Sequence, residues 1–240
     1  MFPYDAALVA LAREPKRSIA DVLQTMKRID AACIDGDGLK WFNWLYLQVT
    51  SAVEACVAAG TFADPGWLSE LDIQFGQLYF GALGAALTGA PCPGCWKALF
   101  DSRDNVRIAR IQFALAGINA HINHDLAAAI VATCRVTNTV PHRGTAQYND
   151  YTGLNATLDA IIEPAKHTLN VCLLGAPLPC VSHLSDLIAA WGTSEAREGA
   201  WKNAEVLWHL QGVPALASGF MDSLDGLATF AGSALLVPVP

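Results

Sequence analysis

The sequence predicts an all-α protein, a single domain of about eight helices packed around one buried helix at about residues 106–136. Apolar residues recur with helical spacing in most segments, whereas no segment alternates with period two over a useful length. Hydrophobic residues make up 53% of the 240-residue chain and charged residues 15%, so much of the chain must face inward. A chain of this length can bury a full core.

The central helix is predicted from residues 108–136, which read IARIQFALAGINAHINHDLAAAIVATCRV and contain no proline. Apolar residues occur on all its faces, which is typical of a helix that passes through the interior. At 1.5 Å per residue it would be about 40 Å long, enough to cross a domain. Gly117 lies inside it and costs ~1 kcal/mol relative to alanine, which indicates close contact with a neighbour.

The chain before this helix begins with a short leading segment, residues 1–17, which is broken by two prolines. Residues 18–240 form the helical domain. Ser18 is the predicted N-cap of its first helix, and Asp21 stands where a capping box has its acid. That helix is expected to continue to about residue 32.

Two longer helices follow. The first spans residues 39–59, carries an aromatic stripe typical of a core, and ends at Gly60. The second is predicted to start with Asp64 as N-cap and Pro65 in its first turn, and to continue to about residue 87. Asp72 lies well inside it. Solvent exposure is the simpler explanation for an interior aspartate, and an inward carboxylate is the alternative.

The seven cysteines are odd in number and mostly lie inside apolar helical patterns, which indicates a reducing compartment. Cys92 and Cys95 form a CxxC motif. A structural zinc site needs a second ligand pair, and a thioredoxin-like site needs a βαβ pattern, so we interpret the motif as a turn that enters a short helix at residues 96–100. Ser102 or Asp104 is then expected to cap the central helix.

Beyond the central helix, residues 137–150 are polar, contain Pro141 and Gly144, and are predicted to form an irregular lid or connecting loop. Helical spacing resumes after it. The predicted helices span residues 151–174, 182–191, 193–210 and 214–236.

Composition excludes several classes of partner. The formal net charge is −7 and no basic run is present, which argues against nucleic acid or an anionic membrane surface. No segment reads as a transmembrane span, because the one candidate carries histidine, asparagine and aspartate at its centre. The N-terminus lacks the features of a signal peptide, so we expect a cytoplasmic protein. The sequence assigns no oligomeric state.

Five polar residues interrupt the central helix within seven positions: Asn119, His121, Asn123, His124 and Asp125. Burying such groups without partners costs several kcal/mol each, so they must be hydrogen-bonded, paired or ligated. The sequence therefore predicts a functional site at this point. Asn119 and Asn123 are expected to orient a ligand or to bind a substrate oxygen.

Helical spacing places His121, His124 and Asp125 next to one another. Two imidazoles and a carboxylate suit zinc, iron or manganese, and three protein ligands leave positions open for water or substrate. A further ligand from another helix would complete such a site. The candidates for this further ligand are Asp72, Asp150, His183, Asp186 and His209. Sequence spacing does not rank them.

Three interpretations of this cluster compete. A divalent metal could activate water or polarise a carbonyl group, in a hydrolase-like enzyme acting on a small apolar or amphipathic substrate. Without a metal, a carboxylate could orient a histidine that acts as general acid or base, in a cofactor-free cyclase or isomerase of specialised metabolism with aromatic pocket walls. The third interpretation is a satisfied polar network that only fixes helix packing, in a non-catalytic or ligand-binding protein.

The segment FALAGINAHINHDL at residues 113–126 resembles the signature of an uncharacterised bacterial, mostly actinobacterial, family of unknown function that carries an NAHINHDL helix. The segments WFNWLY at 41–46, FADP at 62–65 with Leu71-Asp72, and Ala196-Arg197 through Trp201 to Leu207-Trp208 resemble its other parts. The likeness covers about residues 20–236. It implies a cytoplasmic helical protein with a site at residues 119–125 and no established activity. The CPGC turn and the loop at 137–150 do not match the family pattern.

Overall fold

The computed structural model describes residues 2–175 and 192–238. Every regular element in these residues is a helix, and they pack as one bundle, so the predicted fold class is confirmed. The α-helices are α1 Asp5–Arg13, α2 Ile19–Ala32, α3 Gly38–Ala58, α4 Pro65–Thr88, α5 Gly94–Ser102, α6 Arg110–Ala120, α7 Leu126–Thr137, α8 Ala146–Gly153, α9 Asn155–Leu169, α10 Thr193–Leu210 and α11 Pro214–Leu235. A π-helical turn, His121–Asp125, joins α6 to α7.

Two predicted helix starts are confirmed. The Ser18 hydroxyl accepts the Asp21 N–H at 3.1 Å at the start of α2. The Asp64 carboxylate accepts the Trp67 N–H at 3.0 Å, and Pro65 is the first residue of α4. Each cap satisfies one of the N–H groups that a helix start leaves without an intrahelical partner.

The central helix is confirmed as one rod made of α6, the π turn and α7, but its predicted start was wrong. It begins at Arg110, and neither Ser102 nor Asp104 caps it. The chain is held extended before this point, because the Arg110 N–H donates to the Val171 carbonyl at 3.1 Å. The Gln112 side chain accepts the Ala109 N–H at 2.8 Å.

This rod passes through the interior. Every residue of α6 after Arg110 is buried, and α3, α4, α10 and α11 pack around the rod. The rod is apolar on all its faces, and it therefore packs against neighbours on all sides, as the sequence predicts.

Two reciprocal glycine contacts join α3 to α6. A Cβ atom on Gly117 would overlap the ring of Phe42, and one on Gly38 would overlap the ring of Phe113. The close contact predicted for Gly117 is confirmed. It brings the aromatic face of α3 directly against the rod, one turn before the polar cluster.

The chain on either side of the rod departs from prediction in detail. The leading segment contains α1, which buries Leu8 and Leu11. The irregular stretch after the rod is shorter than predicted, because Thr145 caps α8 by accepting the Tyr148 N–H at 3.2 Å. The helix predicted at 151–174 is divided between α8 and α9, and the one predicted at 182–191 lies outside the described residues.

The CPGC motif forms the turn that was predicted, and α5 starts at its glycine, Gly94. The Asp225 carboxylate on α11 accepts the N–H groups of Gly94 and Cys95 at 2.8 and 2.9 Å. A carboxylate at a helix N-terminus is stabilising. Burial raises the pKa of the Cys92 thiol to about 11, which disfavours the thiolate that redox exchange requires.

Among the described helices, none combines the length and apolarity needed to cross a membrane.

We predict that Gly117→Ala lowers the free energy of unfolding by about 1–3 kcal/mol, because the added methyl group would overlap the ring of Phe42, which packs against Gly117. Urea unfolding measures the change. Gly81→Ala is the matched control, since Gly81 is exposed within α4 with nothing within 4 Å of its Cβ position. That variant should gain up to ~1 kcal/mol from helix propensity. Equal effects of the two substitutions would contradict the packing argument.

Candidate functional site

The carboxylate of Asp125 is the centre of the polar cluster. Its Oδ2 atom lies 3.0 Å from His121 Nδ1 and accepts the Trp96 indole N–H at 2.9 Å. Its Oδ1 atom lies 2.7 Å from His124 Nδ1. The structure thus brings together the three residues that spacing placed near one another, and adds a tryptophan from α5.

The π turn shapes this cluster. The Leu126 N–H donates to the His121 carbonyl five residues earlier, which widens the helix by one residue at this turn. π-Helical turns of this kind occur frequently at functional sites.

The protonation states follow from the contacts. Burial raises the pKa of Asp125, but the hydrogen bonds from His121 and His124 outweigh it, so the pKa lies below its usual value and the group is ionised. An ionised carboxylate only accepts hydrogen bonds, so each imidazole must present an Nδ1–H group to it. The Nε2 atom of His121 is then the free nitrogen whenever that ring is neutral.

The two histidines are shifted in opposite directions. Burial lowers the pKa of His121, and the nearby His124 lowers it further against the pull of Asp125. Burial also lowers the pKa of His124, but the hydrogen bond and charge of Asp125, with the charge of Asp225, raise it above its usual value. Near neutral pH the cluster therefore favours a neutral His121 beside an ionised Asp125.

His121 is enclosed by aromatic rings. Its imidazole stacks on Phe75 at 3.4 Å between ring centroids and 6° between planes, and Tyr46 meets it edge-on at 4.5 Å. The residue is 2% exposed, and its Nε2 atom has no hydrogen-bond partner. A buried imidazole nitrogen without a partner is costly in a packed interior.

Two small cavities lie near this ring, and His121 lines the first of them. One of ≈ 50 Å³ is lined by His121 together with apolar and aromatic side chains from α3, α4, α6 and α9. The other, of ≈ 40 Å³, is lined by Asp72, Leu71 and Leu154 among others. Both are bordered by Tyr46 and Phe75, so the two cavities are adjacent.

Asp72 is an inward carboxylate, so of the two explanations from sequence the solvent-exposed one was wrong. It is 8% exposed, and its Oδ2 atom has no hydrogen-bond partner. Burial raises the pKa of Asp72 to about 7, in spite of the nearby charge of Arg197. Arg197 borders both cavities, while its guanidinium group donates to the Tyr151 carbonyl at 2.7 Å and to Asn155 Oδ1 at 2.8 Å.

The two asparagines face another part of the bundle. Asn119 donates to the Ala228 carbonyl of α11 at 2.7 Å, and its own side-chain oxygen accepts the Asn123 amide at 3.0 Å. Both border a separate groove of ≈ 300 Å³ between the rod, α10 and α11. They tie the rod to α11, and the structure does not place them with His121.

Two of the remaining metal-ligand candidates, Asp150 and His209, lie apart from the cluster. Asp150 accepts the backbone N–H groups of residues 63 and 64 at 3.0 and 2.7 Å, and His209 is exposed and contacts its own helix backbone. His183 and Asp186 lie outside the described residues. Within the described part of the chain, no group of three or more His, Cys, Asp or Glu side chains is arranged to hold a metal ion.

Several site residues were missed by the sequence analysis. The sequence predicts only that a short helix starts at Trp96, that residue 75 lies within a helix and that the aromatic residues of α3 belong to the core. In the structure Trp96 donates to Asp125, and Phe75 stacks on His121. The i, i+4 pair of Phe42 and Tyr46, which both contact His121, was the available signal. Arg197 carried no signal, because an arginine in an amphipathic helix is typical of an exposed face.

The fold and the site define an all-α bundle protein with a buried His–Asp–His cluster on its central helix. The chain belongs to a family of unknown function (DUF5995), whose model matches residues 19–238. No curated protein and no solved structure gives a significant match.

We predict that Asp72→Asn stabilises the protein more at pH 8 than at pH 5. The folded pKa of about 7 lies above the unfolded value, so wild-type stability is lost as pH rises towards 7, whereas asparagine stays neutral. The difference in unfolding free energy between variant and wild type should grow by about 1–3 kcal/mol between these pH values.

Urea unfolding at both pH values measures this difference. Asp222→Asn is the matched control, since Asp222 is exposed on α11, and its effect should stay within ~0.5 kcal/mol. A pH-independent effect of Asp72→Asn would show that the Asp72 carboxyl is not held neutral by burial.

Proposed function

We propose that this protein is an enzyme that moves a proton on a small, mostly apolar compound, with His121 as the general base. The observation that carries the proposal is the buried, unpartnered Nε2 atom of His121, a residue that lines a cavity, while Nδ1 is fixed by Asp125. A base must present a free lone pair to the substrate, and this arrangement supplies one.

The other residues of the cluster support that role. Asp125 holds the imidazole in the tautomer with a free Nε2 atom and stabilises the imidazolium that forms when the proton arrives. Trp96 and His124 share the charge of the carboxylate through their own hydrogen bonds. Burial, with a smaller contribution from His124, lowers the pKa of His121 and so keeps the base unprotonated near neutral pH.

The cavity walls favour the same chemistry. Phe75 and Tyr46 cover the imidazole, so little water reaches the Nε2 atom. In such a site an electrostatic interaction is stronger than in water. The reaction class supported is therefore a cofactor-free isomerisation or cyclisation by proton transfer.

Metal-assisted chemistry is the alternative. The Asp125 oxygens accept three N–H groups, so in this arrangement the three predicted ligands bind one another. A metal at His121 Nε2 would keep the Asp125 hydrogen bond behind the ring, which is common for ligating histidines. It would need further ligands from a wall that is mainly apolar. We therefore favour proton transfer.

We predict that the wild-type protein accelerates deuterium incorporation into nitroethane in D₂O, because nitroethane is small and has an acidic C–H bond. His121→Gln should reduce the acceleration by a factor of about 10²–10⁴, the usual contribution of a positioned general base. Proton NMR of the methylene signal measures the rate. His209→Gln is the matched control, since His209 is exposed and far from the cavities.

No acceleration by the wild type, or equal acceleration by His121→Gln, would contradict the assignment of the base. Elemental analysis of the same samples tests the alternative: one equivalent of zinc, iron or manganese, lost in His121→Gln, would favour metal-assisted chemistry. Ligand binding without exchange would point to a carrier.

A further inference from the structure

Three unpartnered polar atoms border the paired cavities. They are the Nε2 atom of His121, the Oδ2 atom of Asp72 and the hydroxyl of Tyr46, and each belongs to a residue that lines one or both of the cavities. The three residues are 2%, 8% and 5% exposed. Buried polar groups normally find a partner within the protein, so three of them around one space indicate a ligand that supplies the missing hydrogen bonds.

The space has two ends of different chemistry. His121 borders the first cavity, Asp72 borders the second, and Tyr46 borders both. A water needs roughly 10–15 Å³, so ≈ 50 and ≈ 40 Å³ together take about six to nine small groups once the side chains that border both cavities move apart. Phe75, which borders both cavities, is half-buried.

The second end presents hydrogen-bond donors. A tyrosine hydroxyl can donate one hydrogen bond, and the Asp72 carboxyl, whose pKa burial raises to about 7, can donate another in its protonated form. The Thr50 hydroxyl lies near the Tyr46 hydroxyl and also has no hydrogen-bond partner. The two hydroxyls therefore form no hydrogen bond of normal geometry, and the Tyr46 hydroxyl is available to a ligand. Two donors around one small space match an acceptor oxygen.

We propose that Asp72 and Tyr46 bind the carbonyl oxygen of a small aldehyde or ketone whose α-carbon lies against His121. This inference rests on the proposed function, because it names the substrate class of the same site. Apolar walls from Leu71, Leu154 and Leu158 accommodate the hydrocarbon part.

The step balances within the site. The α-C–H bond breaks, its proton goes to His121 Nε2, and the electron pair moves into the new C=C bond. The carbonyl oxygen takes the proton of Asp72 and becomes the hydroxyl of an enol. Return of the His121 proton to the same carbon restores the starting compound, whereas its delivery to another carbon of a conjugated enol gives an isomer. In both cases the hydroxyl proton returns to Asp72 and both groups are restored.

A pair of shape-matched probes tests the oxygen site apart from catalysis. Cyclohexanone has an oxygen atom where methylenecyclohexane has a CH₂ group, and the two compounds are otherwise alike. We expect the wild-type protein to bind the ketone at least about tenfold more tightly, because the alkene leaves both donors unpaired. Tyr46→Phe and Asp72→Leu should each reduce this preference towards equal binding. Calorimetric titration of the full chain measures the affinities.

Both variants remove an unpartnered buried polar atom, so we expect them to fold, and circular dichroism checks this. Thr133→Val is the matched control, because the Thr133 hydroxyl is also buried without a partner but borders neither cavity. It should keep the ketone preference of the wild type.

The outcomes separate the two proposals. Equal binding of the probes by the wild type, binding of neither, or a preference unchanged in both variants overturns the carbonyl site. A preference that is lost in Tyr46→Phe and Asp72→Leu supports it, even where deuterium exchange does not depend on His121. A lost ketone preference together with exchange that does not depend on His121 would contradict the assignment of His121 as general base and support the carbonyl-binding site.

Discussion

An ionised carboxylate in the core, that of Asp125, is the constraint on which the rest of the structure depends. Removing such a group from water costs several kcal/mol unless its oxygens are saturated with donors. Two of the three donors come from the π turn itself, and the third comes from Trp96 on α5. The helix α5 must therefore lie at this level of the rod. Asp225 of α11 fixes it there by binding its first N–H groups.

The rod separates two environments. On one side α3 and α4 bring aromatic rings against His121, and the glycine contacts of Gly38 and Gly117 allow that close approach. On the other side Asn119 is bonded to the backbone of α11, and the charge of Asp225 acts on His124. One carboxylate thus connects a dry imidazole to a half-buried, more polar one. The opposite pKa shifts of the two histidines follow from this division.

Much of this arrangement could be predicted from the sequence, because it depends on local rules. The long apolar run, the caps Ser18 and Asp64, and the need to satisfy the polar groups within that run are all properties of short segments. The predicted start of the rod was wrong, because a tertiary contact with residue 171 holds the preceding chain extended. The π turn and the roles of Trp96 and Tyr46 depend on contacts between distant helices. Spacing alone equally allowed ligation of a metal by the cluster, because it does not show which nitrogen faces the carboxylate.

The distribution of unpartnered atoms argues against a purely structural role for the cluster. A network retained only for packing would be expected to satisfy every buried polar atom, since each unpaired one costs about 1–3 kcal/mol. Around Asp125 that expectation holds: both oxygens and both Nδ1 atoms are engaged. On the cavity side it fails at His121, Asp72 and Tyr46. Unpartnered buried atoms also occur elsewhere in the described residues, as at Thr133 and Trp67. What sets the cavity side apart is that three residues with such atoms line one space beside a fully satisfied carboxylate, which is the pattern of a preorganised site.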